Sequence, residues 1–298
     1  MERSRLAPRV CLLVTAVLSA LGVILRSVCM LTAFDTAVGY FDKGILTALS
    51  NALYFAAVIS AAVCASLIPK GQLPTVLRTR LRRSAAYLWG LSLAAFTVGV
   101  LLTCYQARTS NFLTYPMVLG ILSSLYFFIS GDKSGTYSDA LSALGFIPVV
   151  WCVTAAWETY TDQFTAMNSP IKVGLQMGFL GLALILVSEL RFRLGKPLPR
   201  VAAAFMSVGV FTSLNGSIPV LLGTGAHILD NQLHLFYAIV LLCGGLYGAY
   251  TLFQFLWFPA ETEAQAPEAA AEPTAEATAE LTAEVTEPEP PTDTPNAQ

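Results

Sequence analysis

The chain has 298 residues, 55% of them hydrophobic and only 12% charged, about half the charged share of a soluble domain. The composition excludes an ordinary soluble fold and makes lipid the expected solvent. The net charge of -2 averages two unlike parts: ten of the nineteen acidic residues lie between Glu261 and Asp293, where no Lys or Arg occurs, and the rest of the chain carries 17 basic against 9 acidic residues. It therefore argues for no acidic or basic partner. Nucleic acid is excluded on the same grounds, since the bases sit at the ends of apolar runs and form no aromatic-interleaved patch.

Apolar runs long enough for a hydrocarbon core about 30 Å thick fall near residues 10–33, 45–68, 85–107, 112–130, 140–159, 171–190, 201–222 and 233–258. The predicted fold is an all-α, polytopic transmembrane helical bundle of eight spans over 1–258. Between the second and third runs lies KGQLPTVLRTRLRR, Lys70 to Arg83, with five basic residues and no acid. A loop of this kind sets topology by staying in the cytoplasm. Arg78, Arg80, Arg82 and Arg83 are its candidate contacts to lipid headgroups, and Leu73, Val76, Leu77 and Leu81 recur at the spacing of a short interfacial helix.

With the amino terminus inside, eight spans place thirteen basic residues on the cytoplasmic side and three, Lys43, Arg108 and Lys172, outside. Missing one middle span would move every later loop to the wrong face. Both termini are then expected in the cytoplasm. A competing parse takes the first run as a secretory signal, but it continues past Arg26 to Phe34 and lacks a close small-x-small site.

Arg26 is the one cation well inside a span. An intramembrane charge suggests a role by default; the alternative is snorkelling toward Asp35, Asp42 or Glu158. The six cysteines all fall within apolar runs without a Cys-x-x-Cys spacing, as buried small side chains do, although Cys29 and Cys104 come at similar depth. Trp157 and Tyr160 close the fifth span, and Phe253, Phe255, Trp257 and Phe258 the eighth, as aromatic depth anchors.

Gly174-x-x-x-Gly178 and Gly244-x-x-x-Gly248 predict close helix crossings, inside one chain or with another copy or a membrane partner. In the seventh run, Phe211-Thr-Ser-Leu-Asn-Gly-Ser-Ile-Pro-Val concentrates Ser213, Asn215, Gly216, Ser217 and Pro219 near mid-membrane. Such a run either breaks the helix and lines a polar cavity, as in transporters, or kinks it and binds neighbouring helices by hydrogen bonds. His227, Asp230 and His234 share one face if they lie on a helix, with spacing suited to a divalent metal. Asp230 or Asn231 serves equally well as the helix cap. No His-Glu-x-x-His, Gly-x-Ser-x-Gly or complete phosphate loop is present, no catalytic residue stands out, and no cofactor is implied. Residues 259–298, rich in Ala, Glu, Thr and Pro, have too few apolar side chains to offset ordering entropy and are expected to be a disordered cytoplasmic tail.

FDTAVGYFDKG at Phe34–Gly44, MNSPIK at Met167–Lys172 and ELRFRLGKPLPR at Glu189–Arg200 resemble a group of multi-span proteins of Gram-positive gut bacteria. The likeness covers most of the membrane body. It implies a bacterial plasma membrane and, since the group has no established activity, no catalytic residue. Function is thus expected in one of three forms, in order of preference: a non-enzymatic sensing, assembly or regulatory component, a small-solute permease built on a break around Asn215–Pro219, or a membrane-embedded enzyme.

Overall fold

A computed structural model describes residues 6–69, 71–75, 82–106, 115–131, 138–163 and 165–258. The elements are α1 (Leu6–Thr32), β1 (Phe34–Asp35), β2 (Tyr40–Phe41), α2 (Ile45–Leu67), α3 (Arg82–Gln106), α4 (Tyr115–Ser130), α5 (Asp139–Leu144), α6 (Phe146–Thr161), α7 (Pro170–Arg193), α8 (Pro199–Gly225) and α9 (Gln232–Trp257). The predicted all-α bundle is what forms, each expected run becoming helical within a few residues of its expected limits. Among the described residues, seven stretches are long and apolar enough to cross a membrane. α4 has 16 residues, about 24 Å at 1.5 Å per residue.

The fifth expected run is helical in two pieces, α5 and α6. Pro148 lacks an N–H for the carbonyl four residues back. Gly145 closes the joint by donating to the Leu141 and Ser142 carbonyls at 3.1 Å, so 140–161 still reads as one span.

Helix directions follow from which side chains meet. Between α3 and α4, Gly90 faces Phe127 and Ser124, Gly120 faces Thr97, and Gly131 faces Tyr87, a descending pairing that makes the two antiparallel. Trp151 on α6 donates to the Pro116 carbonyl at 3.0 Å, and Gly145 lies by Tyr126, so α6 turns back again. Short as it is, α4 reverses the chain as a span must. The α1–α2, α6–α7 and α8–α9 connections consequently gather at one end, here the hairpin end. At the opposite end Arg200 Nε donates to the Ile68 carbonyl at 2.8 Å and Arg9 lies over the Trp257 ring.

α7 and α8 form the centre, with 67% of their most apolar windows buried, against 33% for α1 and 22% for α2. Glycines set their approach: Gly209 stands against Gly181 and Ile185, and Gly216 against Gly174. Gly178 receives Leu241, Gly244 receives Leu182 and Gly248 receives Ile185, which packs α9 alongside α7. The predicted small-residue crossings therefore lie inside the chain. The same glycines are buried there, so they are not a free face for a partner.

α8 runs unbroken through Pro219, so the break expected around Asn215–Pro219 is absent. Local bonds replace it: Asn215 Nδ2 donates to the Phe211 carbonyl at 2.8 Å, Ser217 to that of Ser213 at 2.8 Å, and Ser213 across to Gly178 at 3.1 Å.

The outward faces are apolar. On α1, Leu6, Val10, Leu13, Val17, Leu21, Ile24, Val28 and Leu31 are all exposed and recur every three or four residues. A stripe of this extent is stable only against hydrocarbon. The chain is an integral membrane protein.

Candidate functional site

Three connections enclose a vestibule of about 750 Å³ at the hairpin end, lined among others by Thr36, Val38, Asp162, Thr165, Asp230 and His234. Each wall has a local reason for its shape. The hairpin pairs Phe34 with Phe41 and Asp35 with Tyr40, and Asp35 Oδ1 accepts from the backbone N–H of Ala37 at 2.8 Å and Val38 at 3.3 Å, an Asx turn. Gly39 takes φ +79°, where a Cβ would be strained. On the α8–α9 side His227 adopts φ 56°, and Asn231 caps α9 by accepting from Leu233 N at 3.0 Å and His234 N at 3.4 Å.

The vestibule floor is polar. His234 Nε2 lies 3.3 Å from Asp162 Oδ2, ion-pair range without hydrogen-bond alignment, and Thr165 Oγ1 donates to the same oxygen at 2.8 Å. Behind them Lys172, 1% exposed, donates to the backbone carbonyls of Asp162 and Tyr160. A cation at the carbonyl end of α6 satisfies acceptors that the helix cannot and complements its dipole. Lys172, one of the three bases expected outside, thus lies at the hairpin end as an internal cap that fixes the α6–α7 connection.

Beneath the floor, Tyr237 on α9 donates to Glu158 Oε2 on α6 at 2.5 Å, and its ring packs on Phe96 and Phe179. Nearer the opposite end, Tyr247 donates to Glu189 on α7, with Trp89 against the Tyr247 ring. The half-buried Glu158 and the buried Glu189 each accept from a tyrosine of α9.

Arg26 is 6% exposed. It reaches none of Asp35, Asp42 or Glu158. One guanidinium N–H donates to the Pro170 carbonyl, and the group sits over Tyr54 at 5.2 Å and Phe41 at 5.9 Å. Arg26, Glu158 and Glu189 keep separate partners and do not converge on one reaction centre.

The polar α8 residues are sealed: Ser213, Asn215 and Ser217 are each 0% exposed. Ser213 faces Gly178 of α7, while Asn215 faces Gly22 of α1. They do not line one cavity. For the metal hypothesis, α9 begins only at Gln232, so His227 and Asp230 precede it and share no helical face with His234. Among the described residues no three His, Cys, Asp or Glu side chains stand together as metal ligands. The five cysteines described are free thiols; the side chain of Cys104, the candidate partner of Cys29, lies outside the described residues. So do Arg78, Arg80 and the Arg82 side chain; Arg83 packs over the Tyr87 ring.

Asp162, Thr165, Lys172, Tyr54 and the two α9 tyrosines are missed by sequence reasoning. Their partners lie on other helices or across a connection, so no spacing encodes them. Asp162, four residues after Glu158 where the fifth span ends, is the one local signal. Compared with known proteins, the chain matches no family model, no curated protein and no solved structure.

Proposed function

We propose that this is a non-enzymatic sensing or regulatory protein of a bacterial plasma membrane, which receives a small polar solute in the vestibule on its outer face. The observation that carries the reading is the vestibule, whose floor brings Asp162, Thr165 and His234 together below three connections. A concave site with a few convergent polar groups is what small-molecule binding needs. Connections from three different pairs of helices meet there, so an occupant bears on α1, α2, α6, α7, α8 and α9 together. The thirteen-to-three distribution of basic residues supports placing the hairpin end outside and both termini in the cytoplasm. The resemblance of the hairpin and of the α6–α7 and α7–α8 connections to proteins of Gram-positive gut bacteria supports the bacterial membrane.

A thermal-shift screen of the purified protein with amino acids, amines, sugars and small carboxylates tests the reading. A binding solute raises Tm in the native chain and raises it less in Asp230→Ala. The reading fails if every stabilising solute acts equally on both, or if none acts. Uptake of the binding solute into proteoliposomes above leak overturns the sensing role in favour of transport.

A further inference from the structure

We infer that the α2–α7–α8 flank of the bundle holds one anionic phospholipid, its phosphate at Arg26 and an acyl chain in the groove below Tyr54. Two features adjoin there. The first is a buried cation without an anion: among the described residues Arg26 has no ion-pair partner, giving one hydrogen bond to a backbone carbonyl and two contacts to aromatic faces. A guanidinium has five N–H donors, and leaving a charge at this depth uncompensated is expensive. Tyr54, whose ring the guanidinium faces at 5.2 Å, joins the cation to the groove below.

The second is an apolar groove of about 410 Å³ that starts at this tyrosine. Its walls are Tyr54 and Val58 of α2, Met177, Leu184 and Val187 of α7, and Val208 of α8. From Met177 to Val187 the groove follows ten residues of α7, about 15 Å at 1.5 Å per residue, half the thickness of the hydrocarbon core. Gly174, with no side chain, leaves the room that the guanidinium fills; a Cβ there would lie 3.0 Å from Nη2. Gly181 further down keeps α7 low enough for the groove to reach Thr212. Positive charge at one end and an acyl-sized apolar channel leading away from it match the two parts of an anionic lipid. A zwitterionic lipid, whose headgroup carries its own cation, fits less well.

The test uses the full chain, delipidated in a neutral detergent, with vesicle-derived phosphatidylglycerol or phosphatidylcholine added back and Tm followed. Phosphatidylglycerol is expected to stabilise the native chain at roughly fivefold lower concentration than phosphatidylcholine, the effect of about one basic contact. Arg26→Met is expected to abolish that preference. Val58→Trp, at an exposed groove wall with Arg26 untouched, is expected to weaken binding of both lipids, and it carries the test if Arg26→Met does not fold. Equal response to the two lipids, an unchanged response in Val58→Trp, or the same stabilisation by inorganic phosphate alone overturns the proposal.

Discussion

Tyr237 and Glu158 show how this bundle disposes of buried charge. A carboxylate in a membrane-spanning segment must be compensated, and a phenol on a neighbouring helix provides a donor without adding a second charge. Removing either partner leaves the other stranded, so Tyr237→Phe and Glu158→Gln are expected to be strongly non-additive. A double-mutant cycle in mixed-micelle unfolding should give a coupling of about 0.6–1.7 kcal/mol; an additive pair would mean that the bond contributes nothing. At the same scale, glycines separate by what a Cβ would strike. At Gly209 and Gly216 it would strike the backbone carbonyls of Gly181 and Gly174, which cannot rotate away. Gly209→Val and Gly216→Val should each cost roughly 1–3 kcal/mol through overpacking, whereas Gly225→Ala, with open space around it, should leave Tm within about a degree.

Among the elements, helix positions were legible because hydropathy and length determine them in lipid. Only the joint between α5 and α6 escaped, and there Pro148 was the available sign. In α8 the break does not form, although Asn, Ser, Gly and Pro weaken a helix in water. In a protein interior the same hydroxyls and amide bond back to carbonyls one turn earlier, as Ser217 and Asn215 do, and the glycines serve packing instead of flexibility. The His227, Asp230 and His234 face failed for a different reason: spacing has meaning only within one element, and the asparagine cap starts α9 after the first two of them. The vestibule was not legible, because its walls come from three connections far apart in the chain, around residues 34–39, 162–171 and 228–234.

For the molecule as a whole, the alternation of chain direction is tied to contacts that a threading error would disrupt. The proposed orientation makes a direct forecast. In a background lacking the native cysteines, Thr36→Cys or Asp230→Cys should react with a membrane-impermeant maleimide on intact cells, and Lys196→Cys only after permeabilisation. The reverse pattern would place the vestibule inside the cell and remove the proposal for an external solute. Solvent identity and chain path could be read from charge and hydropathy; the ligand's chemistry could not, since it depends on which loops meet.

The bond from Arg26 to Pro170 joins residues 144 positions apart. A nascent chain emerges from the ribosome one segment at a time, so α1 enters the bilayer carrying its guanidinium long before the acceptor has been translated. In the interval that segment carries its arginine without the acceptor, at a cost below the roughly 2.5–3.5 kcal/mol of a centrally placed one. Biogenesis is then necessarily postponed: the first helix gains its final seat only after the α7 amino terminus arrives, and fragments ending before Pro170 should be retained by the insertion machinery or degraded.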